Sequence, residues 1–453
     1  MYRIKQGEIR LLFLSVACVF ILSLGHAVNS KMLILMAIAL FMGMTFFMDK
    51  RYFLPIMLFF LPWSPVLKFS PGTHSFYSMI VPCLFMLVIL EYFIKNKKYK
   101  LKFIFIPLFL SAYTLTIKLV NGIIPGNSHF FFILLIIFIP MYMHKYKDEI
   151  NFETCVLFIT TGVLSACFAS KILMTLPHMV GYINVYTWKR MGLTRLSGFY
   201  GDANFYSVHI LVAIACLLLT LKNTKKTISI MVQLLSIIAL IYFGMLSVSK
   251  MFILCLVLMG GIWLFCFLIV RQSVMYKLKF LLFSVVILIA FFSSSLFTEQ
   301  LNQYLIRFSM VSDAQSLTTG RSELVNMYIE YFMGNLNTLF FGMGLSPVYV
   351  NGYSSHNTII QMIYQLGILG SILMIGWWRM VYKGLSNKIK LSFVNSMYLL
   401  MIGVAYFLPW LSLEMLYFDE FFYITILVFI SKNYLSSSQV VKENEGAVQP
   451  LRF

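Results

Sequence analysis

The stretch RLSGFYGDANFYSVHILVAIACLLLTLK, Arg195–Lys222, changes character half-way along. It opens with Arg195, Asp202 and Asn204 and runs on into an apolar segment that ends at Lys222. A hydrocarbon core about 30 Å thick is crossed by roughly 20 apolar residues in a helix, and residues 203–221 supply that length. If the helix begins near Asp202, then Asp202, Tyr206 and His209 recur at i, i+4 and i+7 and share one face. At a rise of about 1.5 Å per residue, His209 lies about 10 Å deeper than Asp202. The stretch reads as a membrane span that carries polar groups at its mouth and part of the way down.

The rest of the chain is of the same kind. Of 453 residues, 60% are hydrophobic and 11% are charged, against about a quarter charged in a soluble domain. Fourteen candidate spans, near 10–28, 31–48, 52–68, 77–95, 103–120, 129–145, 152–175, 203–221, 227–248, 250–270, 279–297, 357–378, 391–412 and 417–432, predict an all-α polytopic integral membrane protein of 12–14 transmembrane helices. The third holds Pro55, Pro62 and Pro65 and is expected to be broken or re-entrant. Arg3, Lys5 and Arg10 precede an apolar run without a small-residue cleavage site, which predicts a retained first span rather than a cleaved signal peptide. The seven cysteines all fall in apolar runs and form no CxxC pair, so neither a disulfide nor a metal site is expected.

The net charge of +19 would by itself suggest nucleic acid or an anionic membrane surface. Its distribution decides. With the N-terminus in the cytoplasm, 25 of the 35 lysines and arginines fall in inner segments, which is the asymmetry that orients membrane proteins. The run KNKKYKLK, 95–102, is accordingly a topology signal, and no nucleic-acid partner is expected. Two outer segments are long, 176–202 and 298–356, and they retain Lys189, Arg190, Arg195, Arg307 and Arg321. Cations kept outside against that bias call for an anionic ligand, and the planar fork of arginine suits phosphate oxygens.

Two further stretches carry polar groups. In SSHNTIIQMIYQLGILG, Ser354–Gly370, Asn357, Gln361 and Gln365 fall at i, i+4 and i+8 on a second helix entering from outside, with His356 at its mouth. Two such stripes at matching depth predict a cavity open to the outer face, since polar groups within spans face a bundle interior or water. In TTGRSELVNMYIEYF, Thr318–Phe332, Leu324, Tyr328, Tyr331 and Phe332 give an amphipathic helix in the large outer loop, lying on the membrane or capping the cavity. Arg321 stands in its first turn, where the helix dipole disfavours a cation and the free amides suit an anion.

Taken in order, RLSGFYGDANFYS (195–207), TGRSELV (319–325), FGMGL (341–345) and SHNTIIQMIYQLGILG (355–370) resemble the O-antigen polymerase and O-antigen ligase superfamily, the Wzy-type polymerases and their relatives. Family members often have a tryptophan where this chain has Val325. The resemblance implies a metal-independent, inverting glycosyl transfer without cofactors on the outer side of the bacterial cytoplasmic membrane. The partners it implies are oligosaccharides linked to undecaprenyl pyrophosphate, as donor and acceptor, membrane lipid, and a chain-length regulator protein. It implies that Arg195 and Arg321 bind the pyrophosphate, that His356 positions or deprotonates the acceptor hydroxyl, and that Asn357 supports it. Asp202, Tyr206, His209, Gln361, Gln365, Lys189, Arg190 and Arg307 are then candidates for substrate contact. The product is O-antigen or a capsular polysaccharide. A ligase acting on lipid A core shares the donor and is the near alternative. A transporter of lipid-linked sugar is the alternative of another class, and it predicts charge along the full membrane depth and internal symmetry.

Overall fold

Alternating long apolar runs and short polar turns leave helices as the only local solution, because a backbone in lipid must satisfy its own hydrogen bonds. The computed structural model describes residues 6–447 except 95–101, 184, 189–192, 225, 271–276, 279–280, 283–284, 286–288, 290–292, 312–319, 346–348, 386–390 and 417. In chain order it contains α1 (Gln6–Ala27), α2 (Lys31–Phe47), α3 (Phe53–Phe60), α4 (Phe76–Ile94), α5 (Lys102–Val120), α6 (Asn127–Tyr146) and α7 (Phe152–Leu173). A hairpin of β1 (Val185–Trp188) and β2 (Leu193–Leu196) follows, then α8 (Ala203–Leu221), α9 (Thr227–Met245) and α10 (Lys250–Ile269). Helices α11 (Ser295–Ser309), α12 (Arg321–Gly334) and α13 (Leu336–Phe341) precede α14 (Thr358–Leu385), α15 (Phe393–Phe407) and α16 (Asp419–Ala447).

Among the described residues, eight helical segments are long and apolar enough to cross a membrane: α1, α6, α7, α8, α9, α10, most of α14, and α15 with the turn that follows it. Shorter apolar helices lie at 31–47, 76–91 and 105–120. The chain is thus an all-α polytopic membrane protein. The expected span at 279–297 falls largely outside the described residues, and that at 417–432 coincides from Asp419 onward with α16.

The proline-rich third segment is broken. α3 ends after eight residues and continues as a 3-10 helix over Leu61–Val66, with Pro65 inside it. Carbonyls along this segment are taken up by side chains of other elements: Tyr77 Oη donates to Met57 O at 2.9 Å, Tyr200 Oη to Leu61 O at 3.0 Å, and a ring nitrogen of His26 stands 2.8 Å from Val66 O. Gly162 of α7 permits the closest approach, since a Cβ there would stand 2.2 Å from Phe59 O.

Helix α8 is the axis of the bundle. Its apolar window is 94% buried, against 28% for α9 and for α10. Helices α7, α9, α10 and α15 pack around it. At one end of the bundle Thr154 Oγ1 donates to Glu8 Oε1 at 3.1 Å and Tyr434 Oη to Glu153 Oε1 at 3.2 Å, so the start of α1 and the C-terminal half of α16 sit together. The hairpin, the α9–α10 turn, α11, α12 and the start of α14 gather at the end where α8 begins, and this is where the candidate site lies.

Candidate anion site and histidine elbow

The hairpin that carries Arg195 is fastened to the α9–α10 turn. Arg195 on β2 faces Tyr186 on β1. Leu196 N donates to Leu246 O at 2.8 Å, and Arg195 Nε to Ser247 O at 3.0 Å. The turn itself is strained: Val248, a buried β-branched residue, has φ +46°, a conformation that such side chains rarely adopt. Side chains hold it there. Ser207 Oγ donates to Ser247 Oγ at 2.9 Å, Ser249 Oγ to Asn204 Oδ1 at 2.7 Å, and Tyr304 Oη to Ser249 O at 3.4 Å. Asp202 caps α8 by accepting from Asn204 N at 2.6 Å. At Gly198, φ is +59° and a Cβ would stand 2.4 Å from the Tyr206 ring, so only glycine lets β2 turn into α8.

This arrangement concentrates positive charge. Arg307 on α11 is 8% exposed, and its Nη1 has no hydrogen-bond partner. Burial, then the neighbouring charge of Arg195, lowers its pKa to about 10, with Arg321 adding to the effect and Asp202 opposing it. Arg321 opens α12 after Gly320, which has φ +78°. Its pKa is lowered by burial, raised in part by Asp202 and lowered again by Arg195. Lys250, at the start of α10, lies within electrostatic reach of Arg307. Three arginines from three separate elements therefore lie within electrostatic reach of one another, with Asp202 beside Arg307 and Arg321 and Lys250 beside Arg307. The unpaired Nη1 of the buried Arg307 is a donor that a bound anion would use.

A second group surrounds the start of α14. Asn357 Oδ1 accepts from Ile359 N at 2.9 Å and Ile360 N at 3.2 Å, so its side chain serves as the helix cap. His356 is exposed with φ +46°, and its backbone N donates to Ser354 Oγ at 3.3 Å. Ser355 donates twice to Glu414 Oε1, from N at 2.7 Å and from Oγ at 2.6 Å. Gln361 is buried and accepts from Leu416 N at 3.2 Å. Gln365 is buried further along the same helix.

The lower end of the α8 stripe is interior packing. A ring nitrogen of His209, a residue only 1% exposed, lies 3.0 Å from Tyr200 Oη and 3.2 Å from Glu420 Oε1; the other lies 3.0 Å from Phe205 O. Tyr206 is also buried, beside a void of about 10 Å³, which is room for one water at most. Asp202, at the outer end of α8, lies beside Arg307 and Arg321, whereas Tyr206 and His209 are buried within the bundle.

Arg195, Arg307, Arg321 and Asp202 are thus brought together, as are His356, Asn357 and Gln361. Lys189 and Arg190 lie outside the described residues. The two groups are joined through shared elements and not by a direct hydrogen bond or ion pair among the described residues. The Phe418 ring, in the segment that carries Glu414, packs on Phe205 of α8 with centroids 4.5 Å apart. Two turns after Arg321, Tyr328 Oη donates to Tyr353 O at 2.8 Å in the loop leading to His356. The α12 face expected on the membrane or over the cavity docks on α14: Tyr328 and Tyr364 are 5.3 Å apart.

Sequence reading missed Ser247, Ser249, Lys250, Tyr304 and Glu414. One signal was available for the last: of 16 acidic residues, Glu414, Asp419 and Glu420 fall within seven positions beside an apolar span. Compared with known proteins, the chain matches no family model, no curated protein and no solved structure.

Proposed function

We propose that this protein is a polysaccharide polymerase of the bacterial cytoplasmic membrane, acting at its outer face on repeat units linked to undecaprenyl pyrophosphate. The observation that carries the reading is the cluster of Arg195, Arg307 and Arg321 beside Asp202, with Lys250 near Arg307 and the buried Arg307 Nη1 unpartnered. A pyrophosphate leaving group needs its growing negative charge neutralised, and preorganised guanidinium groups do this. In the reaction, the acceptor hydroxyl oxygen attacks the anomeric carbon of the donor. The bond from that carbon to the pyrophosphate oxygen breaks, polyprenyl pyrophosphate leaves with the electron pair, and the hydroxyl proton passes to the exposed imidazole of His356. The reading assigns no cofactor. It takes a chain-length regulator as partner, and the cytoplasmic placing of both termini follows from the charge asymmetry.

The test is reconstitution of the purified chain in liposomes with polyprenyl-pyrophosphate-linked repeat units, followed by separation of products by length. The wild type is expected to give a ladder. His356→Gln keeps hydrogen-bonding capacity but accepts no proton at working pH, so it should lose about 10²–10⁴-fold in rate while single units accumulate. Movement of units across the bilayer without bond formation would instead establish the transporter.

A further inference from the structure

We propose that Glu414 is the positioning residue for His356. Among the described residues the imidazole makes no hydrogen bond, so its direction is set by the backbone that carries it, and that backbone is in the left-handed region at φ +46°. A non-glycine residue stays there only where its surroundings over-determine it. Here the determinant is a carboxylate from a distant part of the chain. One oxygen of Glu414 receives both the amide and the hydroxyl of Ser355, at 2.7 and 2.6 Å, and Ser355 is 1% exposed. Hydrogen bonds to an ionised acceptor are the strong ones, and this pair closes on the residue immediately before the histidine.

Glu414 is itself braced from both sides by the helix it serves. Thr358 Oγ1 donates to Leu413 O at 2.6 Å and accepts from Met415 N at 3.2 Å. The first turn of α14 therefore fixes the residues before and after Glu414, and Glu414 fixes Ser355, three places before Thr358. The result is a closed mechanical loop that includes the strained position. Ser355 Oγ also accepts from Asn357 N at 3.3 Å, which ties the same clamp to the helix cap.

The catalytic part of this inference rests on the polymerase reading; the clamp does not. Two measurements separate them, both on the full chain. Hydrogen exchange followed by mass spectrometry over residues 350–362 reads the clamp, and kcat and KM with lipid-linked repeat units read its consequence. In Glu414→Ala the peptide should exchange at least several-fold faster, kcat should fall 10-fold or more, and KM should stay near the wild-type value. Glu414→Gln, which keeps an acceptor oxygen, should recover most of both. Ser355→Ala, which keeps the amide donor, should fall between. Unchanged exchange in Glu414→Ala overturns the proposal, and so does unchanged kcat. Wild-type exchange in Glu414→Gln with activity as low as in Glu414→Ala also overturns it, in favour of direct proton transfer by the carboxylate. Should the wild type make no polymer, the polymerase reading fails and the exchange result alone decides the clamp.

Discussion

Arg307 works against the fold as long as no anion is bound. Its pKa falls from its ordinary value to about 10 because burial and the charges of Arg195 and Arg321 disfavour the guanidinium in the folded state. A drop of that size corresponds to roughly 3 kcal/mol. The sign is unfavourable at every pH below the folded value, and the penalty fades only as pH rises through about 10. Arg307→Met keeps much of the aliphatic volume and removes the charge. It should raise the thermal midpoint of the ligand-free protein in detergent by several degrees, while abolishing the stabilisation that inorganic pyrophosphate gives the wild type. A lower midpoint would make Arg307 a structural group. Arg195, Arg307 and Arg321 were legible in the sequence because they defy the charge asymmetry of the loops. Lys250 was not, since it reads as the first residue of an apolar run. The Glu414 clamp was not either, because the bond joins positions 59 residues apart, which no local pattern records.

At the scale of elements, the prolines of 52–68 announced a broken helix, and one is found. The second break was hidden. α14 reads as one continuous span, but Gly367 within it has φ +67°. The carbonyls freed there are taken by FGMGL and by α5: Met343 N donates to Tyr364 O at 2.8 Å, Gly344 N to Gln365 O at 2.9 Å, and Tyr113 Oη to Leu366 O at 2.9 Å. An isolated glycine in a helical pattern is usually tolerated without a break, so no local pattern warned of this one. The glycines are forced by contact. A Cβ on Gly367 would stand 2.4 Å from Phe340 O, and one on Gly342 2.5 Å from Gln365 O. Gly367→Ala should therefore destabilise by several kcal/mol, whereas Gly376→Ala, in the same helix with nothing within 4 Å of its Cβ, should be neutral or stabilising by up to about 1 kcal/mol. Thermal midpoints of the two variants, measured side by side, check this. Equal effects would show that the break is not obligatory. The β1–β2 hairpin was hidden too, because its strands are four residues each and sit within a segment read as loop.

Across the whole molecule, the span pattern was legible because lipid imposes one rule on every helix, but the sequence did not say which helices meet lipid. α8, α9 and α10 look alike as apolar runs and differ in placement: 94% of the α8 window is buried against 28% of the other two. A lipid-soluble photoactivated carbene should label peptides from α9 and α10 heavily and the α8 peptide hardly at all. Equal labelling would contradict the central position of α8.

That position has a consequence for how the chain is made. A helix enters the bilayer from the insertion machinery before the parts that follow it exist, so α8 must first be acceptable to lipid as a solitary rod. Of the helices that surround it only α7 precedes it; α9, α10 and α15 are synthesised later, and Glu420, beside His209, emerges 211 residues after it. Ser207 and Asn204 of α8 lack Ser247 and Ser249 until the α9–α10 turn has been made, and the imidazole lacks Glu420 until translation has nearly finished. The apolarity of the rest of the helix tides it over that interval. The interior of the finished protein thus keeps a mark of its own biogenesis: a helix apolar enough to cross a membrane by itself ends furthest from lipid.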